Sequence, residues 1–328
     1  MRLIADEVLI TKYQRIMEER ILEASNHKIN CNVGYPGGSL DAEVMWLEDL
    51  GIWYYPRELD NKYWNAFGMT KPKEGKGVSI TGEINFPLEG VNRSINSAFV
   101  ENDDKVFIIH RGRMGGGKPG VDQSLFRNNY RGEWYEFIDN DKISTGALVG
   151  SLFSVDFAAQ IAQFIKEYSR IKNLGGQPVQ DTDPDDDGFS KEFGGKRRGY
   201  TVSDIIEANC NHGIVVNSCV EYLKSKGFAV KNDVNRDLVL LDSLNRERAI
   251  FEFKTDLSTT SLYCAIGQLY FHKRIESIKP VYIMVLPEGQ VSKIKNKLRE
   301  LQIELITYEL SEGKVSFIGL NNLLANIT

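Results

Sequence analysis

Residues 174–200, LGGQPVQDTDPDDDGFSKEFGGKRRGY, constrain the fold of this chain more than any other stretch. They are dense in Gly, Pro and Asp and carry no hydrophobic period, so they offer neither a helix stripe nor a strand face to a core. They read as a linker. It divides 328 residues, more than one core usually serves, into domains over 1–173 and 201–328. Asp183, Asp185, Asp187 and Gly188 imitate the start of a calcium loop, but Gly194 stands where a bidentate Glu is required, so a solvated linker is the better reading.

Each half can bury a core: 42% apolar and 26% charged residues are globular values that exclude a largely disordered or fibrous chain. A formal net charge of -5 means that nucleic-acid binding has to come from local basic clusters rather than a global field. Cys31, Cys210, Cys219 and Cys264 show no CxxC pairing and no His at zinc spacing, which indicates neither a disulfide framework nor a zinc site. Asp6 and Glu7 interrupt what would be the apolar region of a signal peptide, and no apolar run reaches the roughly 18 residues of a membrane span. The expectation is a cytoplasmic protein with no membrane partner.

Upstream of the linker, Val8, Leu9, Tyr13, Ile16, Met17 and Ile21 predict an amphipathic helix over 6–24, and Phe157, Ala158, Ile161, Ile165 and Tyr168 predict another over 155–172. Between them VSITGEINF (78–86), KVFIIH (105–110), EWYEFI (133–138) and ALVGSLF (147–153) read as strands. This half is expected to be α+β with a curved sheet or small barrel. Downstream, the pattern predicts a helix (203–227), strands at 237–241 and 248–254, a helix (260–277), a strand (281–286), a helix (289–301) and a strand (303–310). Two strands joined by the polar turn DSLNRER, followed by alternating helices and strands, predict an α/β domain with a mixed central sheet flanked by helices.

Chemistry concentrates in that first strand pair. NRDLVLLD puts Asp237 at the start of one strand, and AIFEFKTD puts Glu252 and Lys254 in the next. Side chains alternate along a strand, so Glu252 and Lys254 share a face while Phe251 and Phe253 point into the opposite layer. Phosphodiester hydrolysis needs a divalent cation that neutralises phosphate charge and lowers the pKa of an attacking water. Two carboxylates suit Mg²⁺, which keeps several waters and needs only one or two protein carboxylates. Lys254 can orient the water or stabilise developing negative charge. Asp242 is a rival to Asp237 as the first ligand.

An Asp followed by Glu-x-Lys in the next strand resembles the PD-(D/E)XK nuclease superfamily, which includes many restriction endonucleases and DNA-repair nucleases. Arg236 stands where the motif's Pro is usually written. The resemblance implies a restriction-endonuclease-like fold for the C-terminal domain, with Asp237 and Glu252 as metal ligands. It extends to the following helix, where Gln268 in AIGQLYFH corresponds to a glutamine often found near such active sites. It also extends to the preceding helix, NHGIVVNSCVEYLKSKGF, where Glu221 is a candidate accessory ligand and Asn217 or His212 an alternative.

In the N-terminal half, Gly112, Gly117 and Lys118 after a strand approach a phosphate-binding P-loop, but Pro119 replaces the hydroxyl that would bind magnesium, which argues against NTP. The better reading is a basic loop carrying His110, Arg111, Arg113, Lys118 and Arg127, able to follow DNA phosphates or read base edges. An ordinary glycine-rich surface turn is an equal alternative. The aromatics between Trp46 and Trp64 favour a core over a pocket for a flipped base.

The combined expectation is a Mg²⁺-dependent DNA endonuclease, of type II or modification-dependent restriction type, with the N-terminal domain giving sequence or modification specificity. Phage defence is implied by the resemblance alone. Cutting both strands of a two-fold symmetric DNA duplex needs two active sites, hence a homodimer at least on DNA. The alternative is a non-catalytic DNA-binding or assembly protein on a nuclease-like scaffold, whose signature would be a broken Asp237, Glu252 and Lys254 triad.

Overall fold

The computed structural model describes every residue except 36, 116–119, 141, 176–201, 234–235, 272–279, 290 and 328. Lys118 and all but the first two residues of the linker stretch therefore lie outside the described residues. Contacts group the chain into two units. One holds Met1–Tyr130, Trp134–Leu148 and Phe164–Ile206, and the other Arg131–Glu133, Val149–Gln163 and Glu207–Thr328. The grouping is thus not a single cut in the sequence. No helix among the described residues is long and apolar enough to cross a membrane.

Up to the linker the elements are β1 (Arg2–Leu3), α1 (Glu7–Glu23), β2 (His27–Tyr35), β3 (Gly38–Leu47), β4 (Ile52–Leu59), β5 (Lys62–Gly68), β6 (Gly77–Ser79), β7 (Gly82–Glu83), β8 (Phe86–Pro87), β9 (Ser97–Asn102), β10 (Lys105–His110), α2 (Gln123–Asn129), β11 (Trp134–Asp139), β12 (Lys142–Ser151) and α3 (Phe157–Leu174). Strands β1, β11, β12, β10 and β9 close into a barrel. A second sheet runs β6-β2-β3-β4-β5-β7, with β8 on β5. The curved-sheet expectation therefore holds as a closed barrel, whereas the single strand expected over 78–86 is three short ones. Asp6 caps α1 by accepting from the Leu9 amide at 2.9 Å, leaving Ile10, Gln14, Met17 and Ile21 buried. Val8, placed by sequence in the apolar stripe, faces solvent. The buried Gln14 exchanges two hydrogen bonds with Asn65, whose Oδ1 also accepts from the Tyr54 hydroxyl. Among the 46–64 aromatics, Trp46, Trp53, Tyr54, Tyr63 and Trp64 are buried, as the core reading requires.

The second unit contains α4 (Val202–Ser225, mostly), β13 (Ala229–Asp233), β14 (Arg236–Leu241), β15 (Glu247–Phe253), α5 (Thr259–Phe271), β16 (Val281–Pro287), α6 (Ser292–Glu300), β17 (Ile303–Ser311), β18 (Lys314–Ile318) and α7 (Leu320–Ile327). These strands form one mixed sheet in sequence order. Pairing is antiparallel from β13 to β15, parallel from β15 to β17, and antiparallel again at β18. The parallel pairs arise where α5 and α6 provide crossovers, and the antiparallel ones where a short turn suffices.

Strand alternation gives this sheet two separate cores. On one face Phe251, Phe253, Leu238 and Ile283 pack with Val215, Cys219 and Leu223 of α4 and Leu320 and Leu324 of α7. On the other, Val239, Ile250, Tyr282 and Met284 pack with Ala265 and Leu269 of α5 and Leu298 of α6. Glu252 alternates with Phe251 and Phe253, so it stands on the α5 side of a strand covered on both faces. Truncating Phe251, fully buried at the sheet centre, is expected to destabilise the protein by about 3–5 kcal/mol. Denaturant unfolding of Phe251→Ala measures this, and a loss below about 1 kcal/mol contradicts the packing described.

Candidate active site

Four elements of the second unit, α4, β14, β15 and α5, converge on one set of polar side chains. Asp237 stands at the start of β14, and its Oδ2 accepts from the Phe253 amide of β15 at 2.9 Å. That bond ties the Asp237 side chain to the end of the strand that carries Glu252. Lys254 follows directly and donates through its Nζ to Glu252 Oε1 at 2.6 Å and to Gln268 Oε1 of α5 at 3.0 Å. Its backbone amide continues the parallel ladder by donating to the Val285 carbonyl at 3.0 Å. From α4, His212 Nε2 lies 3.5 Å from Asp237 Oδ1.

The electrostatics follow from burial and like charge. Glu252 is 2% exposed, and burial, with the neighbouring Asp237 charge, pushes its carboxyl up to about 7. Asp237 goes the other way. Burial alone would raise it, but His212 and the Phe253 amide favour the carboxylate and hold it below its ordinary value. His212 is raised from its ordinary value, because Asp237 outweighs the burial that would lower it. Two neighbouring carboxyls with opposed shifts are a common property of functional sites.

Of the expected site residues, Asp237, Glu252, Lys254 and Gln268 are thus brought together. Asp242 is engaged elsewhere: its Oδ1 accepts from the Leu244 and Arg246 amides and its Oδ2 pairs with Arg246 Nε at 2.8 Å, closing the β14–β15 turn. Of the alternatives on α4, His212 is the one beside Asp237. Glu221 is exposed nine residues further along α4, about 13.5 Å at 1.5 Å per residue, and is not part of this group. Arg236, where the motif has Pro, is buried with its Nη1 2.7 Å from Glu247 Oε2.

Among the described residues, no group of three His, Cys, Asp or Glu side chains could hold a metal ion. Any cation at this site would rest on the Asp237 and Glu252 carboxylates with water and substrate oxygens completing its shell, a ligand set that suits Mg²⁺. The donor chemistry suits such an ion: both side chains offer carboxylate oxygens, and Asp237 is near enough to raise the Glu252 carboxyl.

The basic loop of the first unit needs correcting. His110 is fully buried among Phe126, Phe164 and Tyr168, and burial lowers its imidazole to about 3. Its Nδ1 accepts from the Gly112 amide at 3.0 Å, a turn that Gly112 makes at a φ of 78°. Arg111 is also buried, lies over the Phe137 ring, and shares the buried Asp139 carboxylate with Arg93. Neither can reach DNA, because both complete the interior next to β10. Arg113 and Arg127 are exposed, and Arg127 lies over the Trp134 ring at 5.1 Å.

No family model matches the chain, and no curated protein or solved structure matches it.

The raised Glu252 carboxyl predicts a pH signature. Below about 4.5 folded and unfolded chains both carry the proton; above that the unfolded chain loses it first, so this group's contribution to stability falls as pH rises through about 7. In chelator, Glu252→Gln should therefore gain stability over wild type between pH 5 and pH 8, on the order of 3 kcal/mol at most. Paired thermal melts test it, and a pH-independent difference contradicts a raised Glu252.

Proposed function

We propose that the second unit hydrolyses DNA phosphodiesters in a Mg²⁺-dependent reaction, on a sheet of PD-(D/E)XK nuclease type, and that the protein is a restriction-type endonuclease. The observation that carries this reading is the meeting of Asp237, Glu252, Lys254 and Gln268 from β14, β15 and α5. The order of the sheet, three antiparallel strands followed by parallel crossovers, supports it as well.

Asp237 and Glu252 would hold the cation, which when bound supplies a water of lowered pKa and charge neutralisation at the phosphate. His212 keeps Asp237 ionised and ready to accept it. Lys254 presents an ammonium where charge accumulates on the phosphate, and Gln268 holds that ammonium in place. Arg113 and Arg127 offer exposed charge for the DNA backbone, with the first unit giving sequence or modification specificity. Duplex cleavage is assigned to a homodimer formed at least on DNA.

The test uses modified and unmodified plasmid DNA with and without Mg²⁺. Wild type is expected to nick or linearise one of them only with the cation, and Lys254→Ala to slow cutting by about 10²–10³-fold. Cutting that survives the substitution would sink the assignment, and cutting without a divalent cation would remove the carboxylate pair's role.

A further inference from the structure

The Lys254 ammonium has three hydrogens, and Glu252 Oε1 at 2.6 Å and Gln268 Oε1 at 3.0 Å engage two of them. Glu252 is 2% exposed, so water cannot solvate its charge, and the lysine on its own strand face supplies the counter-charge instead. A divalent cation placed on Glu252 would meet an ammonium already at hydrogen-bonding distance from that carboxylate. A divalent cation on the same buried carboxylate would stand close to that ammonium, and two cations at that separation repel strongly. Gln268 is the neutral acceptor already in contact with the same ammonium, so it can keep the lysine when Glu252 is lost to it.

We propose that Lys254 is the resting counter-ion of Glu252 and that a divalent cation binds this site by displacing it onto Gln268. The proposal rests on the nuclease reading of the same residues. It makes the site ordered: Lys254 is withheld from a phosphate until a cation has taken Glu252. It also makes Gln268 a positioning residue, acting on the carboxylate through Lys254 alone.

The displacement is tested without DNA by titrating Mn²⁺ into the full-length protein and reading bound ion by electron paramagnetic resonance. Lys254→Met should bind Mn²⁺ at least about ten-fold tighter than wild type, because a competitor is gone. Gln268→Leu, which removes the parking place, should bind it more weakly. Lys231→Met is the control, since Lys231 pairs at 2.8 Å with a different buried carboxylate, Glu247, and its loss should leave Mn²⁺ affinity unchanged. Lys254→Gln, polar but uncharged, serves the same test if the methionine variant does not fold. Equal or weaker Mn²⁺ binding by the Lys254 variants would overturn displacement while leaving the metal reading intact. Absence of binding by wild type and variants alike would overturn the metal reading, and displacement with it.

Discussion

A carboxylate buried in a sheet between two helical layers is the constraint on which the second unit depends. Glu252 sits on β15, the strand where antiparallel pairing gives way to parallel pairing, and both faces of that strand are covered. An isolated charge there would be costly enough to favour an apolar replacement. The chain instead surrounds it with a lysine, a glutamine and a second carboxylate held by a histidine and a backbone amide. Nothing in the packing of Phe251, Phe253 or Ile250 requires that set. That cost is consistent with the site proposed above.

The same strand shows how a sheet can separate the work of folding from that of chemistry. Side chains facing α4 and α7 form one apolar layer, and those facing α5 and α6 form another that is interrupted at Glu252. The polar set gathers at the C-terminal end of β15, next to the start of β14, where the ladder ends and side chains from α4 and α5 can reach. Lys254 already lies past the last residue of β15, though its amide still holds to β16. The position combines a rigid backbone with partial access to solvent.

Much of this was legible in the residues. Alternation alone separates Glu252 and Lys254 from Phe251 and Phe253, and the polar turn before β15 announces the antiparallel pair. What escaped has physical reasons. In β2 and β3 the inward positions hold Cys31, Val33, Ala42 and Val44, but the intervening Asn, Asp and Gly lower strand propensity and mask the period. The β17–β18 hairpin turns through Glu312 and Gly313, both at positive φ, a two-residue turn signal that was readable. His110 and Arg111 look like a surface basic pair in one dimension. Yet KVFIIH is buried along nearly its whole length, and the residues that end such a strand are enclosed with it. The choice among Glu221, Asn217 and His212 needed the helix phase against β14, which sequence spacing does not supply.

Crystals soaked in Mn²⁺ and measured for anomalous scattering address the central claim most directly. A peak bound by oxygens of both Asp237 and Glu252, at about 2.0–2.3 Å from each, is expected. No peak, or one bound away from this carboxylate pair, would contradict it.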